Sequence, residues 1–211
     1  MTSYPTISRD AYQALCRHAR SQPDAIAYTS RFRIATYRKL RNRIERAAAR
    51  LHGEWGVRPG DLVAYVGCGH PDALVLYFGL VCCGARLLPL EDASLQFDSA
   101  RILAELGVRL ALIDDDGVAP EGVASYTLST LIGSVTTHPA LQVSPDPCVP
   151  SLARMAAPSD AVPLLQESSL ADETGLATMQ QCEVRGALFD AAMFPQVLAT
   201  LAGGGVIGFL G

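Results

Sequence analysis

Lysine is almost missing from this chain. Of its 17 basic residues one is a lysine, Lys39, and the rest are arginine. A site that cradles phosphates with a glycine-rich loop and a lysine therefore has a single residue to draw on, and Lys39 falls in what reads as an ordinary amphipathic helix. Charge is scarce as a whole: 18% of the 211 residues are charged, and the formal net charge is −4. With no arginine stripe interleaved with aromatics, that balance excludes an electrostatic footprint for nucleic acid. The basic residues gather in the first half, and Arg38 to Arg50 reads as a solvated helix face. Long apolar runs are lacking too. The stretch from Ala73 to Cys83 is too short to span a bilayer, and Met1 to Arg9 is short and polar, without a targeting signal. A cytoplasmic protein that does not engage membranes is expected. The six cysteines, Cys16, Cys68, Cys82, Cys83, Cys148 and Cys182, make no C-x-x-C pair. They also show no metal-ligand spacing with His18, His52, His70 or His138. Reduced thiols and no bound metal are expected, with Cys82 and Cys83 as small buried hydrophobes ending an apolar helix.

What the chain has is apolar mass. At 49% apolar residues it can build one α/β domain with a real core. Ser8 reads as the cap of a first helix, Arg9 to Arg20, and residues 25–29 and 33–35 as a short hairpin around Ser30-Arg31. Thr36 caps the clearest helix. There Tyr37, Leu40, Ile44, Ala47, Ala48, Leu51 and Trp55 recur at steps of three and four, and Gly56 stops it. Leu62 to Val66 is a continuous apolar run, as in a strand buried on both faces of a parallel sheet. Pro71 to Cys83 reads as a helix ended by Gly84, and Arg86 to Leu90 as a strand. A helix opening at Ser94 or Asp98 and ending at Gly107 follows, then a strand from Arg109 to Ile113. This alternation predicts an α/β fold of three layers around a mostly parallel sheet. Beyond Asp116 the pattern loosens. Val123 to Tyr126 reads as a strand and Leu128 to Ile132 as a short helix, while the five prolines between Ser134 and Ser159 read as irregular linker. Structure is expected to resume at Val162 to Gln166, in a helix from Phe189 to Ala202, and in a strand from Val206 to Leu210. The domain reading is an α/β subdomain over 1–133, a Pro-rich linker over 134–159, and a tail over 160–211 that packs on the same domain.

Three segments carry a resemblance. Ala35-Thr36-Tyr37-Arg38-Lys39-Leu40 is similar to a T-Y-x-E-L motif that opens a long helix. Gly56-Val57-Arg58-Pro59-Gly60-Asp61-Leu62-Val63-Ala64 is similar to G-V-x-x-G-D-x-V-A, and Cys83-Gly84-Ala85-Arg86-Leu87-Leu88-Pro89-Leu90 to x-G-A-x-x-x-P-L. In this order and spacing they resemble the adenylate-forming superfamily of acyl-CoA synthetases, fatty acyl-AMP ligases and nonribosomal adenylation domains. Leu164-Leu165-Gln166, Leu188-Phe189-Asp190 and Leu201-Ala202-Gly203-Gly204 resemble later segments of the fatty acyl-AMP ligases, set closer together than in the family. After Gln166 the family pattern is T-S-G-T-T-G-x-P-K-G. Here Glu167 to Gly175 holds one glycine, no lysine and three carboxylates, which would repel a triphosphate rather than cradle it. The resemblance also implies a second, remote lysine that a chain with Lys39 alone cannot supply.

Candidates for chemistry are few. Phe189 and Asp190 match a segment that, by the resemblance, walls the acyl pocket; the family's histidine is missing from it, and helix-start packing competes with that role. Gly203-Gly204-Gly205 follows a helix and precedes a strand, which reads as a turn and not a phosphate loop. Asp114-Asp115-Asp116 reads as a solvated run rather than a cation site. Ser168 and Ser169 lack a G-x-S-x-G setting for a nucleophile. No catalytic residue, metal ligand or cofactor site is assigned. The expectation is a non-catalytic, truncated relative of carboxylate-activating enzymes that binds or assembles with others. Its partner would be a second copy in a homodimer or a biosynthetic protein. A split enzyme with its nucleotide site on another chain, and an acyl or small-carboxylate binder, are the alternatives.

Overall fold

The computed structural model describes residues 7–31, 33–90, 99–133, 153–155, 165–167 and 180–210. Helix α1 (Ile7–Ser21) leads into the antiparallel hairpin of β1 (Ile26–Ser30) and β2 (Ile34–Thr36). Ser8 thus lies inside the first turn of α1 rather than before it. Helix α2 (Tyr37–Gly53) starts where its sequence says: the Thr36 hydroxyl accepts from the Lys39 N–H, satisfying one orphan donor of the first turn. It ends two residues before Trp55. Glu54 caps it through an N–H to the Arg50 carbonyl, and Gly56 turns the chain at φ +67. Trp55 instead stacks on Tyr126, with centroids 4.2 Å apart.

The next segment is the parallel sheet that the alternation predicts. It comprises β3 (Leu62–Val66), α3 (Pro71–Cys83), β4 (Arg86–Leu90), α4 (Ser99–Glu105), β5 (Val108–Ile113), β6 (Ser125–Thr127) and α5 (Leu128–Ile132). The strands lie in the order β4-β3-β5-β6, all parallel. Period-two alternation sends Val63, Tyr65, Leu87, Leu110 and Leu112 to the face covered by α2, α3 and α5. Leu62, Ala64, Val66, Leu88, Ala111 and Ile113 go to the face where Leu103 of α4 packs. A strand buried on both faces has no polar side to show, which is why β3 reads as an unbroken apolar run. These are the expected three layers.

A second sheet, in the order β2-β1-β10-β9, packs on the same helices. Its later strands are β9 (Gln181–Val184) and β10 (Val206–Phe209), joined by α6 (Met193–Ala202). Both β1 and β9 run parallel to β10. The sequence reading contains no β9, and it starts the last helix at Phe189, four residues early. Of the interval read as linker, the described residues Ala153–Met155 form a strand, β7, antiparallel to β8 (Leu165–Glu167). The rest of that interval, with Ser168 and Ser169, lies outside the described residues.

The arginines of α2 correct a second expectation. Arg43 and Arg50 are buried, not solvated, because α2 is enclosed by α1, α3 and α5 and has too little free surface for all its basic residues. Arg50 reaches the Thr130 and Gly133 carbonyls at the end of α5, besides Glu54, a favourable place for a cation.

Candidate functional site

Open α/β sheets bind ligands beyond the carboxyl ends of their strands, where neighbouring connections diverge to opposite faces. Here the chain leaves β3 for α3 on one face and leaves β4 for α4 on the other. That divergence places the crevice above β3.

Gly67, Cys68 and Gly69 form the loop after β3. A Cβ on Gly67 would stand 2.4 Å from Asp114 Oδ2 and 2.5 Å from Tyr65 Oη, and one on Gly69 would stand 2.4 Å from the Gly186 carbonyl oxygen. Both glycines are there so that other parts of the chain can come close. Asp114, just past β5, uses the space: Tyr65 Oη donates to Asp114 Oδ1 at 2.8 Å, tying β3 to β5. Burial, then the Asp114 carboxylate, holds the Tyr65 phenol above its usual range. Burial also pushes the Asp114 carboxyl up, against the pull of that hydrogen bond. From above, the turn after β9 closes on the loop through Leu188 N–H to the Cys68 carbonyl at 2.8 Å. On the β4 side, Gly67 N–H bonds the Leu90 carbonyl at 3.3 Å. The turn after β9 and the β3 loop are thus in direct contact.

Phe189 and Asp190, the proposed pocket wall, both belong to this closing turn. Phe189 is 6% exposed and packs edge-on against Tyr65 at 5.7 Å, and against Phe194 at 5.0 Å. With Tyr77 they form an aromatic cluster beneath the turn. Asp190 Oδ1 accepts from the N–H groups of Ala192 and Met193 at 2.9 and 3.2 Å, so it holds the start of α6, whose own cap position, Ala192, has no side-chain acceptor.

The acidic run does not act as a unit. Asp114 serves Tyr65, while Asp115 accepts from the hydroxyl and N–H of Ser129 at the start of α5, and those bonds hold its carboxyl below the usual range. Among the described residues no group of three or more His, Cys, Asp and Glu side chains stands ready for a metal. The Gly203 to Gly205 stretch turns the chain from α6 into β10, with Gly204 at φ +76 and the Gly205 carbonyl accepting from Tyr37 Oη at 2.8 Å. The buried thiols Cys82 and Cys83 are pushed up to about 12 by desolvation, so neither is a thiolate near neutrality. Among the described residues no helix is long and apolar enough to cross a membrane.

One polar centre escaped the sequence reading. Asp72, 5% exposed, accepts from Arg33 Nη1 at 3.1 and 3.3 Å and from Arg43 Nη2. The signal was present: Asp72 is the one charged residue in an otherwise apolar helix, and a buried carboxylate has to be paired. His70, the cap of α3, accepts from the Asp72 N–H through Nδ1.

The sequence profile of a family described as AMP-binding enzyme matches residues 15–183. The chain belongs to that family. Over 75 residues this AMP-binding family member is 42% identical to the feruloyl-CoA synthase of an Amycolatopsis species, covering 36% of this chain and 15% of that protein. It is 29% identical over 112 residues to the oxalate–CoA ligase of Arabidopsis thaliana, covering 52% of this chain and 22% of that one. It thus spans less than a quarter of the length of these curated relatives. Among solved structures, o-succinylbenzoate CoA synthetase (MenE) from Bacillus subtilis, in complex with the acyl-adenylate intermediate OSB-AMP, aligns with a TM-score of 0.75 at 14% identity. That match covers 99% of this chain and 44% of MenE. At this identity the likeness is one of fold.

Proposed function

We propose that this AMP-binding family chain is a non-catalytic relative that works as a binding or assembly partner in acyl or natural-product biosynthesis. The observation that carries the reading is the segment Glu167 to Gly175, where the family's phosphate loop would stand: one glycine, no lysine and three carboxylates. A triphosphate needs converging N–H groups and a cation, and each carboxylate works against it. Removing one such electrostatic contact commonly costs about two to three decades in rate, and here several are replaced together. The test is carboxylate-dependent pyrophosphate exchange with a panel of fatty, aryl and amino acids. The expected result is no exchange above background; exchange with any acid defeats the proposal.

A second reading is favoured by the outer face of the second sheet, where Ile26 and Ile34 are 40% and 60% exposed, together with the short span against the relatives. On that reading the chain is one part of an acyl- or aminoacyl-adenylating ligase whose nucleotide site lies on another polypeptide. Mixing the chain with a polypeptide that carries a T-S-G-T-T-G-x-P-K-G loop would then restore exchange. The self-associating form is a homodimer on the first reading, which light scattering coupled to size exclusion reads directly.

A further inference from the structure

Helix α2 matches most of its arginines one by one: Arg38 with Asp24, Arg41 with Glu45, Arg50 with Glu54. One face is the exception. Lys39, Asn42, Arg43 and Arg46 stand three and four residues apart, and so on one side of the helix. With Arg33, Ile34 and Ala35 from the hairpin they line an open groove of about 390 Å³. Its lining carries four cations and no carboxylate, and two of the four, Arg33 and Arg43, share Asp72. Among the described residues neither Lys39 nor Arg46 makes an ion pair. Arg43 is 9% exposed, and its Nε is buried without a hydrogen-bond partner. Like charges at these helical spacings oppose the helix that carries them, and an unsatisfied buried donor adds to that cost. An anion in the groove relieves the like-charge repulsion.

We propose that this groove is a binding site for a small ligand carrying a phosphate or diphosphate group. Guanidinium groups present planar pairs of donors that match phosphate oxygens, and Lys39 and Arg46 bring mobile charge from either end. The volume lies within the range of small-molecule sites, roughly 300–1,000 Å³. From Lys39 to Arg46 the helix rises about 10 Å, long enough for a diphosphate to lie between the two cations and short for an extended acidic polypeptide. Ile34, 60% exposed, gives the groove one apolar wall. The site is separate from the crevice above β3, and it holds whether or not the chain is catalytic.

Calorimetric titration of the full chain with inorganic pyrophosphate at low ionic strength tests the proposal. Inorganic phosphate and a short poly-aspartate peptide serve as comparison probes. Pyrophosphate is expected to bind more tightly than phosphate and to weaken steeply with added salt. The double variant Lys39→Ala/Arg46→Ala should lose about tenfold or more in affinity. The control Arg17→Ala/Arg101→Ala, with the same loss of charge at exposed positions outside the groove, should keep its affinity. All four replaced side chains are exposed, and thermal melts check that both proteins fold. No pyrophosphate binding at millimolar concentration, an equal loss in the control, or preferential binding of the peptide would each overturn the proposal.

Discussion

The β4-β3-β5-β6 sheet is assembled from one stretch of chain, residues 62 to 127, and is wrapped on both faces. The β2-β1-β10-β9 sheet joins residues 26 to 36 with residues 181 to 209, and its outer face shows Ile26 and Ile34 to water. The first is held by short-range crossovers and a continuous apolar interior. The second depends on partners far away in sequence and on packing through α6. Robustness in this fold follows from local connectivity and two-sided burial, and the second sheet should be the first to open.

Four substitutions test that contrast. The largest effect is expected where α6 clamps the second sheet to the helices. Phe194 is fully buried against Tyr77 and Phe189, so Phe194→Ala should cost about 3–5 kcal/mol. In hydrogen exchange it should release the amides of β9 and β10 before those of β3 and β5; equal release of both sheets breaks the comparison. Leu112→Ala, near the end of β5 and fully buried, should cost about 2–5 kcal/mol in urea melts, but with one cooperative transition. Gly69→Ala forces a Cβ onto the Gly186 carbonyl, overpacking that costs about 1–3 kcal/mol and loosens the link between the β3 loop and the turn after β9. Wild-type stability for Gly69→Ala would mean that this link is not a tight one. Thr36→Ala removes the cap of α2, with an expected loss of about 1 kcal/mol.

The smallest and sharpest test uses pH. The Asp114 carboxyl lies above its ordinary 3.8 in the fold. Its contribution is therefore complete below that value and is lost as pH rises through the folded value. Asp115 is shifted the other way, so its contribution is present above 3.8 and is lost as pH falls through its lowered value. In thermal melts from acid to neutral pH, Asp114→Asn should gain on the wild type as pH rises. Asp115→Asn should lose ground over the same range. Parallel curves for the two variants would show that these neighbours share one environment, contrary to their separate partners.

The same contrast explains what could be read from the sequence. Strands β3 and β4, and helices α3 and α5, are legible to the residue: the first three are largely apolar stretches bounded by Gly or Pro, and Thr127 caps α5. Strand β9 was not. Gln181-Cys182-Glu183-Val184 alternates over only four residues, too few to stand out, and its pairing with β10 is a long-range event. Phe189 and Asp190 read as a pocket wall or as helix-start packing; the helix itself begins at Met193, four residues after Phe189. The Tyr65–Asp114 tie and the Arg33–Asp72–Arg43 cluster were not, since each joins residues that are distant in the chain and reveals itself only as a polar residue in an apolar element.

Pairing of Tyr28 with Ile207 also has a consequence for how the chain is made. During synthesis the β4-β3-β5-β6 unit can begin to pair as soon as it emerges, because all its strand pairings lie within residues 62 to 127. The β1–β2 hairpin must wait for β10, and at about 5–20 residues per second that interval is about 9–35 s. Throughout it, β1 presents an open strand edge to whatever is nearby. Nascent chains of this protein should therefore recruit chaperones at the hairpin, and slowed translation after residue 127 would lengthen the exposure.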